Sequence, residues 1–185
     1  MKTKKIALGV LMATVLITSC KKDKPEENEE EVITTMRLTF VPVGAGTTVT
    51  YQFDDSDGPG GAAPTQQEIV LAPSKTYNVT VQLLNKTETP VEDVTLEVLG
   101  EKEAHRIYYE PTGGSNITVS GLDNDANGVP LGVTSVWATG AVATGKVKVT
   151  LRHFGATPPN KAIGDPVSSS KSSTDIEVEF NTKVQ

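Results

Sequence analysis

The sequence predicts an all-β fold, a single antiparallel β-sandwich of immunoglobulin-like layout over residues 32–185. Three observations carry that expectation. Apolar side chains recur at every second position in six segments, the period of a strand with one buried face. The intervals are rich in Gly, Pro, Asn, Asp and Ser, the residues that supply turns. After the N-terminal leader no segment carries a helical stripe of apolar residues.

Met36/Leu38/Phe40 opens the domain, with Arg37 and Thr39 between them. Val49/Tyr51/Phe53 follows, then the longer row Tyr77/Val79/Val81/Leu83, and Val94/Leu96/Val98 reads as the next strand. Val147/Val149/Leu151 and Ile176/Val178/Phe180 complete the six. Shorter runs at 68–71, 106–109, 117–119 and 131–137 add further strands. All nine aromatic residues lie in or at the ends of these runs, which assigns them to the core. Trp137 stands out as a candidate binding platform, because it sits beside the Thr139-Gly140 turn. The Ser-rich stretch 168–173 reads as a long loop.

The leader is not part of that fold. Lys2, Lys4 and Lys5 precede an apolar run at 6–17, and Thr18 and Ser19 supply small residues before Cys20, the pattern of a secretory signal. The run has 12 residues, short of the roughly 20 that cross a bilayer. Leu16-Ile17-Thr18-Ser19-Cys20 resembles the bacterial lipobox. That resemblance implies a diacylglycerol thioether on Cys20, cleavage before it and acylation, as with palmitate, of the new amino terminus. At about 0.8 kcal/mol per buried methylene, several acyl chains give near-permanent anchoring. Cys20 is the only cysteine, so an intramolecular disulfide is excluded.

The expected organisation is therefore a signal peptide at 1–19, a lipidated Cys20 with a flexible charged tether at 20–31, and the sandwich at 32–185. The segment KKDKPEENEEE has no apolar side chain except Pro25. Fully extended it reaches roughly 35 Å. Loss of the three leader lysines leaves 14 basic against 23 acidic residues, a net charge of −9. Nucleic acid and anionic lipid surfaces, which are bound through Lys/Arg patches, are poor partners on that balance, and no nucleic-acid partner is expected; cations and basic surfaces fit it.

Two groups of residues could carry chemistry. Asp123-Asn124-Asp125-Ala126-Asn127-Gly128 matches the first half of a calcium loop, with Asp123, Asp125 and Asn127 as oxygen donors and the Val129 carbonyl next. Thr134 stands where an EF-hand places its bidentate Glu, which excludes an EF-hand and leaves a β-loop calcium site or a plain turn. Asp54-Asp55-Ser56-Asp57-Gly58 has the wrong spacing and reads as a turn. The second group is Glu101, Glu103 and His105, followed by Glu110. On an extended segment Glu101, Glu103 and His105 share one face, a donor set for zinc or another divalent transition metal. His153, at the end of the Val147/Val149/Leu151 row, either joins them or caps an edge of the core. No nucleophile elbow, phosphate-cradling Gly loop or HExxH spacing is present, so the expectation is not an enzyme.

Taken together, EEEVITTMRLTF, LLNKTETPVEDVTLEV, the Glu-rich segment ending in His105, LDNDANGVPLG, VTLRHF and TDIEVEFNTKVQ resemble a set of small Bacteroidetes lipoproteins of flavobacterial type. The resemblance covers essentially the whole chain after the leader. Members are classed with a type 1 periplasmic-binding-fold superfamily and are often encoded beside TonB-dependent outer-membrane receptors. That fold is two-lobed and α/β, whereas the alternation here predicts one β domain. The resemblance implies an outer-membrane, lipid-anchored accessory of a transport system, with a TonB-dependent receptor as partner. A binding module for a divalent cation (calcium or zinc) or a small ligand is thus expected; the alternative is a structural or adhesion-type sandwich with no transported ligand.

Overall fold

A computed structural model describes residues 31–185. The leader, Cys20 with its lipidation motif and the charged stretch as far as residue 30 lie outside the described residues. The alternating rows form strands β1 (Thr35–Pro42), β2 (Val49–Asp54), β3 (Thr65–Gln66), β4 (Ile69–Leu71) and β5 (Thr76–Leu84). Helix α1 (Val94–Gly100) follows, then β6 (His105–Thr112), β7 (Ile117–Ser120), β8 (Thr134–Thr139), β9 (Ala143–His153) and β10 (Ser173–Val184). They assemble into a six-stranded sheet, β3-β2-β1-β5-β8-β7, and a four-stranded sheet, β4-β10-β9-β6.

The core lies between the sheets, as period-two burial requires. Met36, Leu38, Phe40, Val79, Val81 and Leu83 from the first sheet meet Ile107, Val147, Val149, Leu151, Val178 and Phe180 from the second. Trp137 is fully buried, edge-on to Phe40 at 5.2 Å and to Tyr109 at 5.7 Å, and its indole N–H donates to Ser135. It is core, not a binding platform. Among the described residues no helix is long and apolar enough to cross a membrane.

Three local expectations are corrected. Val94/Leu96/Val98 is not a strand: it forms α1, with Val94, Thr95 and Val98 buried and Leu96 exposed. Asp93 caps the helix by accepting the Thr95 N–H, and the Thr95 hydroxyl bonds the Leu83 backbone, docking the helix on the end of β5. The pairing is also not wholly antiparallel. The chain leaves the first sheet after β3, enters the second within a few residues, and there β4 runs parallel to the end of β10. Finally, the strand expected at 131–137 begins only at Thr134. Leu131 and Val133 are buried in a bridge between the sheets: the Leu131 carbonyl accepts from Ile107 N–H of β6, and the Val133 carbonyl from Val81 N–H of β5. Gly132 between them has φ +89°, and a Cβ there would lie 2.7 Å from the Ile107 carbonyl oxygen.

At one end of the sandwich β1 begins opposite the end of β5, with Thr35 paired to Leu84, and β6 begins opposite the end of β9, with His105 paired to His153. Helix α1 spans the interval between β5 and β6.

Candidate metal centre

His105 and His153 extend the inward rows of their strands, Tyr109/Ile107/His105 on β6 and Val149/Leu151/His153 on β9, to the point where the sandwich closes. The register sets them directly opposite each other, and the rings stack with centroids 4.5 Å apart and a 30° tilt. His105 is fully buried; His153 is half-buried. Just before β6 the chain leaves α1 through Glu101, whose N–H returns to the Glu97 carbonyl and whose own carbonyl lies 3.1 Å from His105 Nδ1. A carbonyl can only accept, so this bond assigns the proton to Nδ1 and leaves the lone pair on Nε2. One ligand atom from each of Glu101, His105 and His153 lies within 4.8 Å of the other two. Two imidazoles and a carboxylate are a donor set for zinc, copper or another divalent transition metal. Donors around such an ion stand roughly 3.3 Å apart, inside the 4.8 Å within which these three atoms lie.

The electrostatics favour a neutral, ligand-competent imidazole. Burial, helped by the neighbouring His153, pushes His105 down to about 4. Burial also lowers His153, against the pull of Glu101 and Glu97. His105 Nε2 is buried with no hydrogen-bond partner, and it faces Asp175 Oδ2 at 4.0 Å. Asp175 reaches this position through a β-bulge: β10 shifts register against β9 between Thr174 and Ile176, and the extra residue turns inward, its side chain fully buried.

More carboxylates converge here. Burial, Glu97 and the fields of Asp175 and Glu101 together push Glu31 up to about 7. Glu97 shares a hydrogen bond with it. Among the described residues no lysine or arginine nitrogen comes within 4 Å of the Glu31, Glu97 or Glu101 carboxylates.

Glu103 is not part of this group. Residues 101–104 form a turn, closed by Ala104 N–H to the Glu101 carbonyl, so the alternate-residue face expected there does not exist, and Glu103 acts on Lys161 instead. Glu110 stands further along β6, paired with Lys148 at 3.3 Å.

The calcium-like loop is arranged differently. Asp125 Oδ1 accepts the N–H groups of Asn127 and Val129, and its Oδ2 lies 3.0 Å from the Lys161 ammonium. Lys161 also donates to the carbonyls of Lys102, His105 and Pro130, at 2.6, 2.8 and 3.2 Å. Asp123 accepts the Thr134 N–H, Asn127 is exposed, and the Val129 carbonyl is taken by Asp125 N–H. Both Asp125 oxygens, one Asp123 oxygen and the Val129 carbonyl are thus occupied by backbone donors and by an internal ammonium. Burial alone would raise the Asp125 carboxyl; the Val129 N–H and Lys161 outweigh it and hold the group below the usual carboxylate range. Burial lowers Lys161 despite the opposing pull of Asp125.

The sequence did not point to Asp175, Glu97, Glu31 or Lys161. Asp175 is aimed by a bulge that composition does not encode, and Lys161 follows Pro158 and Pro159 in a stretch with no period. A signal did exist for Glu97: Asp93 is a helix-capping residue, and an N-cap there places Glu97 one turn from Glu101. Comparison with protein-family models, curated proteins and solved structures returns no match.

Proposed function

We propose that this chain is a lipid-anchored, non-catalytic binding module of the cell envelope that takes up a divalent transition-metal ion, free or within a small ligand, through Glu101, His105 and His153. One observation carries the metal reading. His105 Nε2 holds a lone pair inside the protein, without a hydrogen-bond partner, facing a carboxylate. A buried polar atom left without a partner costs about 1–3 kcal/mol, and a metal ion supplies the missing interaction. The anchor rests on the lipobox-like Leu16-Ile17-Thr18-Ser19-Cys20, and the role as accessory to an outer-membrane transport system rests on the resemblance to Bacteroidetes lipoproteins.

The test is calorimetric titration and thermal melting of the full chain after chelation, with zinc, copper and calcium. Zinc or copper should bind near one equivalent and raise Tm, whereas His153→Ala should abolish both effects. Binding to the folded state alone adds about 2.7 kcal/mol at a hundred times Kd, so even micromolar affinity registers. No uptake of any transition metal would overturn the proposal.

A second reading, a structural sandwich with no transported ligand, is favoured by Lys161. Its ammonium ties residues 102, 105, 125 and 130 together from inside and rigidifies the loop without an external cation. Stability that is indifferent to every metal, with a large loss on Asp125→Ala, would select it.

A further inference from the structure

We propose that the open flank of β10 at 176–181 takes an extended segment of a partner protein as an added strand, one in which apolar and basic side chains alternate. The inference does not depend on the metal site.

Pairing along the second sheet points to it first. On one flank β10 pairs with β9 from Ser173 to Val184, apart from the bulge, but on the other β4 covers only Thr182–Val184. Among the described residues no strand pairs with that second flank at 176–181. The Gln185 N–H donates to the Leu71 carbonyl of β4, so by alternation the backbone groups of Glu177, Glu179 and Asn181 point to the same side. One of them is met by a substitute. The Gln66 side-chain amide donates to the Glu179 carbonyl at 2.8 Å, where a neighbouring strand would supply a backbone N–H.

The facing sheet points to it independently. Met36, Leu38 and Phe40, the inward row of β1, are fully buried, whereas their partners on β2, Phe53, Tyr51 and Val49, are only half-buried. Ile176, inward on β10, is half-buried too. Among the described residues the second sheet has nothing beyond β10 to cover this row except the three residues of β4. An added strand continues the line of β4 and lays every second side chain over the half-covered apolar row.

Charge selects the occupant. On the outward face the flank carries Glu177 and Glu179, both exposed, and Lys148 and Lys146 reach them from β9 on the other side. A second copy of β10 laid along this edge would set these carboxylates against their own counterparts, and like charges opposite each other in a ladder are destabilising. Lysine or arginine at alternate positions of an incoming strand fits them, and a chain of net charge −6 attracts such a segment.

The experiment titrates a short peptide of alternating valine and lysine into the full chain while backbone amide exchange is followed by NMR. In the free chain Glu177, Glu179 and Asn181 should exchange about a hundredfold faster than Val178 and Phe180, whose amides face β9. Bound peptide should slow the first three about tenfold or more and leave Thr118, on the edge strand β7, unaffected. Methylating every second backbone nitrogen of the peptide should abolish binding in one register and spare it in the other, since only one set of nitrogens faces β10. Glutamate in place of the peptide's lysines should weaken binding about tenfold or more, and Glu177→Lys combined with Glu179→Lys should reverse that preference. Both positions are exposed, so the double variant is expected to fold, and the peptide variants test the same point on the unaltered protein. The proposal is overturned if no saturable binding occurs, if binding protects only other edges, or if the three amides are already protected in the free chain. Protection that grows with protein concentration in the absence of peptide would also overturn it, by assigning the edge to a second copy.

Discussion

The imidazole of His105 and the carboxylate of Asp175 face each other at 4.0 Å in the interior of the domain, brought there by a strand end and a β-bulge on the next strand but one. His105 donates its Nδ1 proton to the Glu101 carbonyl, which leaves the Nε2 lone pair on the side of Asp175. On the proposed reading the buried Nε2 lone pair is available to a cation, and the consequences of that can be measured.

The two histidines should separate in their effects. His153→Ala removes a half-buried ring and should lower metal-free stability by about 1 kcal/mol while abolishing zinc binding. His105→Ala removes a fully buried ring and its hydrogen bond to Glu101, and should cost about 2–4 kcal/mol in addition to the loss of binding. Chemical denaturation in chelator, followed by zinc titration, checks both.

The loop at 123–129 should ignore calcium, because Lys161 already satisfies Asp125. Asp125→Ala leaves the ammonium buried and should destabilise by about 3–5 kcal/mol, whereas Asp125→Ala combined with Lys161→Met should recover much of that loss. A calcium-dependent rise in Tm that disappears in Asp125→Ala would contradict this arrangement.

The same pair sets an acid limb. The folded-state pKa of Asp125 lies below its unfolded value of about 3.8, so its contribution is fully present above that value and is lost as pH falls through the lower, folded one. Wild type should therefore lose stability below about pH 4 more steeply than Asp125→Asn, which has no carboxylate to protonate. Equal acid limbs in denaturation curves from pH 2 to 5 would contradict the assignment.

Gly132 holds the bridge between the sheets. With φ +89° and the Ile107 carbonyl 2.7 Å from where a Cβ would be, Gly132→Ala combines backbone strain with a clash against backbone. It should cost about 2 kcal/mol or more, and Gly114→Ala, which also has positive φ but meets nothing within 4 Å, should cost less.

The β rows were legible because Met36/Leu38/Phe40, Tyr77/Val79/Val81/Leu83 and Val147/Val149/Leu151 obey one period and lie against one core. Val94/Leu96/Val98 satisfied the same period, yet Val94 and Val98 also stand one helical turn apart, and the Asp93 cap decided for the helix. In the site, His153 was legible because it continues an inward row, and His105 because it opens one. Glu103 was misplaced because the strand starts at His105, four residues later than the alternation from Glu101 suggested. Glu31 was assigned to the tether by composition, although its side chain packs on α1. Asp175 escaped because a bulge reverses the face that period-two reasoning gives it.

The most direct test of metal binding at this end of the sandwich is X-ray absorption at the zinc edge of the full chain loaded with one equivalent. Two imidazole nitrogens with carboxylate oxygens near 2.0 Å are expected, falling to one imidazole in His153→Ala. Failure to retain zinc, or a first shell of oxygen with no imidazole, would contradict the assignment of His105 and His153 as ligands.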